Sequence, residues 1–151
     1  MDPIRRLVAE FRDDPQQGCS MLALVRSAVG ASPLNATWEV TDFGWLGWNQ
    51  GSGLSPWEVE ASLRESRTVL FGRDELCGLL QNLSSIDDSS FDAYERVGDI
   101  SGNLHVLRWL ARIDAYDRFE FASWDLDLLK RIRATVSVQC PGALVYENDA
   151  G

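Results

Sequence analysis

The stretch Phe91-Asp92-Ala93-Tyr94-Glu95-Arg96-Val97 is followed by Gly98-Asp99-Ile100-Ser101-Gly102-Asn103, then by Leu104-His105-Val106-Leu107-Arg108-Trp109-Leu110-Ala111-Arg112-Ile113. The first run mixes aromatic and apolar residues with charged ones and reads as a strand, and the glycine- and asparagine-containing break reads as a turn. The second run is long and apolar enough to be a central strand. Asp114-Ala115-Tyr116-Asp117 turns the chain again, into a strand over Phe119–Ala122. Successive strands joined by short turns predict an antiparallel meander.

Towards the C-terminus, Ser123 is placed to cap a helix carrying Leu126, Leu129 and Ile132. Asp125 and Asp127 fall in its first turn and Lys130, Arg131 and Arg133 near its end, the order a helix dipole favours. Ala134–Cys140 is expected to be a last strand, with a frayed tail from Pro141. Towards the N-terminus, Ser84–Ser90 reads as a polar connection. It is preceded by a helix from Asp74 to Leu83, with Leu76, Leu79, Leu80 and Leu83 on one face, and by a short strand over Thr68–Phe71. Ser55-Pro56-Trp57-Glu58 matches a helix capping box, yet Trp57, Val59, Ala61 and Leu63 alternate with polar residues over a longer span. The longer signal favours a strand. The four glycines of Gly44–Gly53, with Trp45 and Trp48 among them, predict irregular structure, after a short strand over Thr37–Asp42. A helix is expected from Ser20 to Val29, with Gly30 in the left-handed position beyond its end. Another is expected near the N-terminus, where Asp2-Pro3 resembles a cap and Ile4, Leu7, Val8 and Phe11 recur at helical spacing. Strands and interspersed helices in this order define an α+β class, an antiparallel or mixed sheet with helices packed mainly on one side.

With 151 residues, 45% hydrophobic and 25% charged, the chain suits a single domain over 1–151 that buries its own core. No apolar run approaches the length of a membrane span, and the N-terminus lacks the features of a signal peptide. A cytoplasmic protein is therefore expected. The three cysteines, Cys19, Cys77 and Cys140, are odd in number and widely spaced, and are read as reduced, mostly buried thiols. A net charge of −9 repels nucleic acid and anionic membranes and attracts basic partners.

Chemistry is harder to place. The single histidine, His105, lies in a predicted strand without a nucleophile signature beside it, so a packed or rim histidine is expected. The glycines of 44–53 lack both GxGxxG spacing and a following lysine, which argues against a nucleotide loop. Asp125-x-Asp127 and Asp114-xx-Asp117 are short ligand sets for a cation. No catalytic residue, metal or cofactor is assigned. The candidate partner-binding residues are acids and aromatics. Asp87, Asp88 and Asp92, with Glu95 and Asp99, lie around one strand, while Asp114, Asp117 and Glu120 surround a later turn. Trp45 and Trp48 could supply the buried anchors of an interface.

The stretch Thr68-Val69-Leu70-Phe71-Gly72-Arg73-Asp74-Glu75-Leu76 resembles small bacterial immunity proteins of polymorphic toxin systems. So does Ile113-Asp114-Ala115-Tyr116-Asp117-Arg118-Phe119-Glu120-Phe121, running into Trp124-Asp125-Leu126-Asp127-Leu128-Leu129. The similarity spans Thr68–Ile132. It implies a non-catalytic binding protein that neutralises a cognate toxin or other basic protein, for instance a nuclease, by occluding its surface. The alternatives are a carboxylate-based enzyme or glycan-binding module with a tryptophan-lined pocket, and an adaptor or anti-defence protein.

Overall fold

The computed structural model describes residues 3–50, 53–98 and 105–150. In chain order these form β1 (Arg5–Glu10), a short 3-10 turn (Pro15–Gln17), α1 (Met21–Ala31), β2 (Thr37–Trp48), α2 (Pro56–Arg64), β3 (Val69–Gly72), α3 (Arg73–Gln81), β4 (Leu83–Gly98), β5 (His105–Ala115), β6 (Phe119–Ser123), α4 (Leu126–Gln139) and β7 (Leu144–Asp149). The seven strands make one sheet in the order β3-β2-β4-β5-β6-β1-β7, and every pairing is antiparallel. The class is α+β, as the strand–turn pattern implies.

Register decides which residues are core. Leu7, Phe121, Ile113, Phe91, Val40 and Val69 are successive cross-strand partners, so one row of apolar side chains crosses six strands. All six are buried. The parallel row Ser123, Ala111, Ala93, Trp38 and Phe71 lies two residues along on the same face. Over this face, α1 lies against both α3 and α4, and Leu24, Val25, Leu76, Leu80, Leu129 and Ile132 join the strand residues in one core. Trp38 ties the layers together. It is fully buried, and its Nε1–H donates to Ser32 Oγ at 3.2 Å, while that hydroxyl donates to the Val29 carbonyl at 2.5 Å. α2 covers the outer part of β2 and adds Val59 to the same core.

Several local expectations are corrected. The N-terminal segment is a strand, not a helix. Leu7, Val8 and Ala9 are all fully buried, because β1 sits between β6 and β7 with its faces covered on both sides. Burial on both faces erases the alternation that marks a half-buried strand, and Ile4, Leu7, Val8 and Phe11 are left mimicking a helix. In the opposite direction, Trp57–Leu63 is helical. The Ser55 hydroxyl accepts from Glu58 N–H at 3.3 Å and Pro56 occupies the first turn, so the cap signal outweighs the alternation.

The Trp/Gly segment is regular up to Trp48. β2 continues through it, with bulges between Val40 and Asp42 and between Asp42 and Gly44. Its partner is Leu83–Asp87: Leu83, expected to end a helix, and Ser84–Ser90, expected to be a polar connection, are the first half of β4, and the two strands form an extended ribbon. The glycines permit this ribbon. A Cβ on Gly44 would run into the Asp87 carbonyl, and Gly47 has φ +65°. Gly30 is inside α1 rather than beyond it, and Ser32 closes that helix. Ala134–Cys140 is the end of α4 and not a strand, and the tail is not frayed, since Leu144–Asp149 pairs with β1 along its length. The helix N-cap is Asp125, whose Oδ1 accepts from Asp127 and Leu128 N–H, both at 3.1 Å. Ser123 supports it from one step back, its hydroxyl accepting from Asp125 N–H. Residues 99–103 of the predicted turn, Asp99 among them, and the environment of the His105 side chain lie outside the described residues.

The cysteines also differ from expectation. Cys19 and Cys140, 121 residues apart, form a disulfide with a Cα–Cα separation of 5.0 Å, and Cys77 is free. Wide spacing in sequence concealed the pair because the start of α1 and the end of α4 meet only in the fold. No helix among the described residues is long and apolar enough to cross a membrane.

Candidate functional site

The face of the sheet opposite α1, α3 and α4 is polar. The cross-strand row Glu39, Asp92, Arg112, Ala122 and Arg6 runs across it, with Asp114 and Glu120 paired in the next row. Asp92 is the most buried acid on this face, 8% exposed. Its Oδ2 accepts from Arg112 Nη1 at 2.7 Å and its Oδ1 from Trp109 Nε1 at 3.1 Å. Arg112 Nε also donates to Asp114 Oδ1 at 3.1 Å. Burial alone would lower the Arg112 guanidinium, but Asp114 and Asp92 beside it hold it above its ordinary value. Glu120 is flanked by Arg6 at 3.4 Å and Arg118 at 3.7 Å. Tyr94 lies alongside, its phenol raised by burial first and then by the charges of Asp92 and Glu39.

The predicted acids therefore separate into two groups. Asp92, Asp114 and Glu120 belong to a charge-compensated face, each held by arginine. Asp87, Asp88 and Asp117 are exposed and lie together at one end of the sheet, where the β5–β6 turn approaches the β2–β4 ribbon. Asp42 joins them from the bulge in β2. The Asp88 carboxyl is raised chiefly by the charge of Asp87, next by burial, and further by Asp42 and Asp117. That mutual influence defines one local negative cluster. Among the described residues, none of these four acids has an arginine or lysine within ion-pair distance. Asp42 Oδ2 accepts from Tyr116 OH at 2.8 Å, which anchors the turn to the ribbon.

Trp45 and Trp48 lie on the same ribbon, Trp45 one residue beyond the Gly44–Asp87 pair. Both pack edge to face against Trp57 of α2, with ring centroids 4.8 and 5.5 Å away. Trp45 and Trp48 are partly buried against the core, and Trp57 is the exposed member of the trio at 57%. The cluster is thus an aromatic shelf adjoining the acidic end. Asp42, Trp57 and the arginines of the compensated face were not singled out in the sequence. Their roles depend on strand register and on the α2–β2 contact, which no local motif encodes.

The arrangement sets uncompensated carboxylates beside a partly exposed aromatic cluster. Among the described residues, no group of three or more His, Cys, Asp or Glu side chains is arranged to hold a metal ion. The Cys77 thiol is pushed up by burial and then by Asp74, opposite to the activation a nucleophile needs. Compared with known proteins, the chain matches no family model, no curated protein and no solved structure.

Proposed function

We propose that the chain is a non-catalytic binding protein, of the immunity type, that neutralises a cognate basic toxin in the cytoplasm by covering its working surface. The observation that carries this reading is the juxtaposition of unpaired acids with an aromatic shelf. Asp42, Asp87, Asp88 and Asp117 supply uncompensated negative charge, and Trp57, backed by Trp45 and Trp48, supplies apolar area next to it. Such a surface suits a lysine- or arginine-rich groove, such as the substrate path of a nuclease. Long-range attraction speeds encounter and the desolvated aromatics slow dissociation. The net charge of −9 favours a basic protein over nucleic acid or an anionic membrane. Trp45 and Trp48 pack edge to face against Trp57 rather than framing an open trough, which favours protein contact over glycan binding.

Co-expression with the product of the adjacent gene tests the reading. A stoichiometric complex that relieves that protein's toxicity is expected. Its association rate should fall steeply with salt, and charge reversal at Asp87, Asp88 and Asp117 together should slow association by at least tenfold. Trp57→Ala should instead raise the dissociation rate. An affinity indifferent to both changes would reject this surface as the interface, and the absence of complex and protection would reject the inhibitor reading.

A further inference from the structure

We propose that the Cys19–Cys140 disulfide is a redox-controlled clasp that holds the edge strand β7 on the sheet. β7 has unusually little else to hold it. None of its side chains is buried, and its neighbour in the sheet is β1 alone. Beyond the β1 ladder, its polar ties among the described residues are two ion pairs open to solvent on at least one side and one half-buried hydrogen bond. Arg5 pairs with Asp149 at 3.3 Å, Arg133 with Glu147 at 3.6 Å, and Arg118 donates to Tyr146 OH at 2.8 Å. Exposed ion pairs contribute little, and the strand's hold on the core comes through the half-buried Val145 rather than through a fully buried face. The disulfide lies four residues before β7 and fixes its root to the start of α1. The strand is therefore anchored covalently where packing is slight.

The bond can be reached. Both sulfur-bearing residues are buried, but they form part of the wall of a surface cleft of about 710 Å³ that also includes Phe11, Arg12, Gly142 and Leu144. A dithiol reductant entering there attacks one sulfur as thiolate, displaces the other and forms a mixed disulfide. Its second thiol then resolves that intermediate. The reductant leaves as its own disulfide, and the two electrons and two protons it gives up remain on Cys19 and Cys140 as thiols. In a reducing compartment such bonds are transient, so the docking of β7 would report the thiol balance around the protein. Release of β7 would uncover the backbone edge of β1.

Thiol counting and hydrogen exchange on the intact chain test this, with dithiothreitol as the reductant. The air-oxidised chain, unfolded without reductant, should titrate one thiol, that of Cys77, and three after reduction. On reduction, amides of Leu144–Asp149 and the β7-facing amides of β1 should exchange at least tenfold faster, while β4 and β5 keep their protection. The Cys19→Ala/Cys140→Ala variant should behave like the reduced chain whether or not dithiothreitol is present. Three thiols before reduction would overturn the proposal. So would unchanged protection of β7, or a loss spread equally over all strands, which would make the bond a general staple. If the double variant does not fold, the same comparison on oxidised and reduced wild-type chain decides.

Discussion

Asp88 combines a left-handed backbone with like charges around it. It has φ +47° and stands exposed beside Asp87, with Asp42 and Asp117 also acting on its charge. A carboxyl whose folded pKa is raised binds its proton more readily in the native chain than in the unfolded one. Its stabilising contribution is present below the unfolded carboxylate pKa and is lost as pH rises through the higher folded value. At neutral pH the ionised group therefore works against the fold. An asparagine at this position would accept the left-handed backbone and remove the charge, so Asp88→Asn should raise Tm at pH 7 by about 1–2 °C. The gain should disappear when thermal melts are repeated below the carboxylate range. A gain that persists there would mean that charge is not its cause.

At the scale of elements, cap and periodicity disagreed at α2, and there the cap decided. Ser55-Pro56-Trp57-Glu58 begins α2 even though the following residues alternate, because the cap satisfies an N–H that a strand start would leave open. Ser55→Ala should cost about 1 kcal/mol, seen as a fall in Tm of about 2–4 °C by circular dichroism. No change would show that packing of Val59 alone sets the helix. The central strands β5 and β6 and the second half of β4, Phe91–Val97, were legible from their apolar and aromatic runs between turns, whereas Ser84–Ser90, the first half of β4, is too polar to show as strand. β1 was not legible, since Leu7, Val8 and Ala9 are covered on both faces. β7 was not, since it buries no side chain and shows no pattern at all. The acids of the candidate site were visible as composition. Their division into paired and unpaired sets was not, because Asp92 meets Arg112 only through the β4–β5 register.

For the whole molecule, a net charge of −9 opposes compaction even where the compensated face neutralises part of it. Raising ionic strength from about 0.01 M to about 0.1 M shortens the screening length from about 30 Å to about 10 Å. Tm measured by calorimetry should rise over that interval, and a fall would mean that the arginine pairs outweigh the repulsion. The strand order has a further consequence, for biosynthesis. β1 is made first, yet its partners are β6 and β7, and Arg5 pairs with both Ser123 and Asp149. A ribosome that has not yet released Phe119–Ser123 offers the opening strand nothing to pair with. The nascent chain must therefore carry the adhesive run Leu7-Val8-Ala9 unsatisfied until Phe119–Ser123 and Leu144–Asp149 have emerged, and only then does the sheet close around β1.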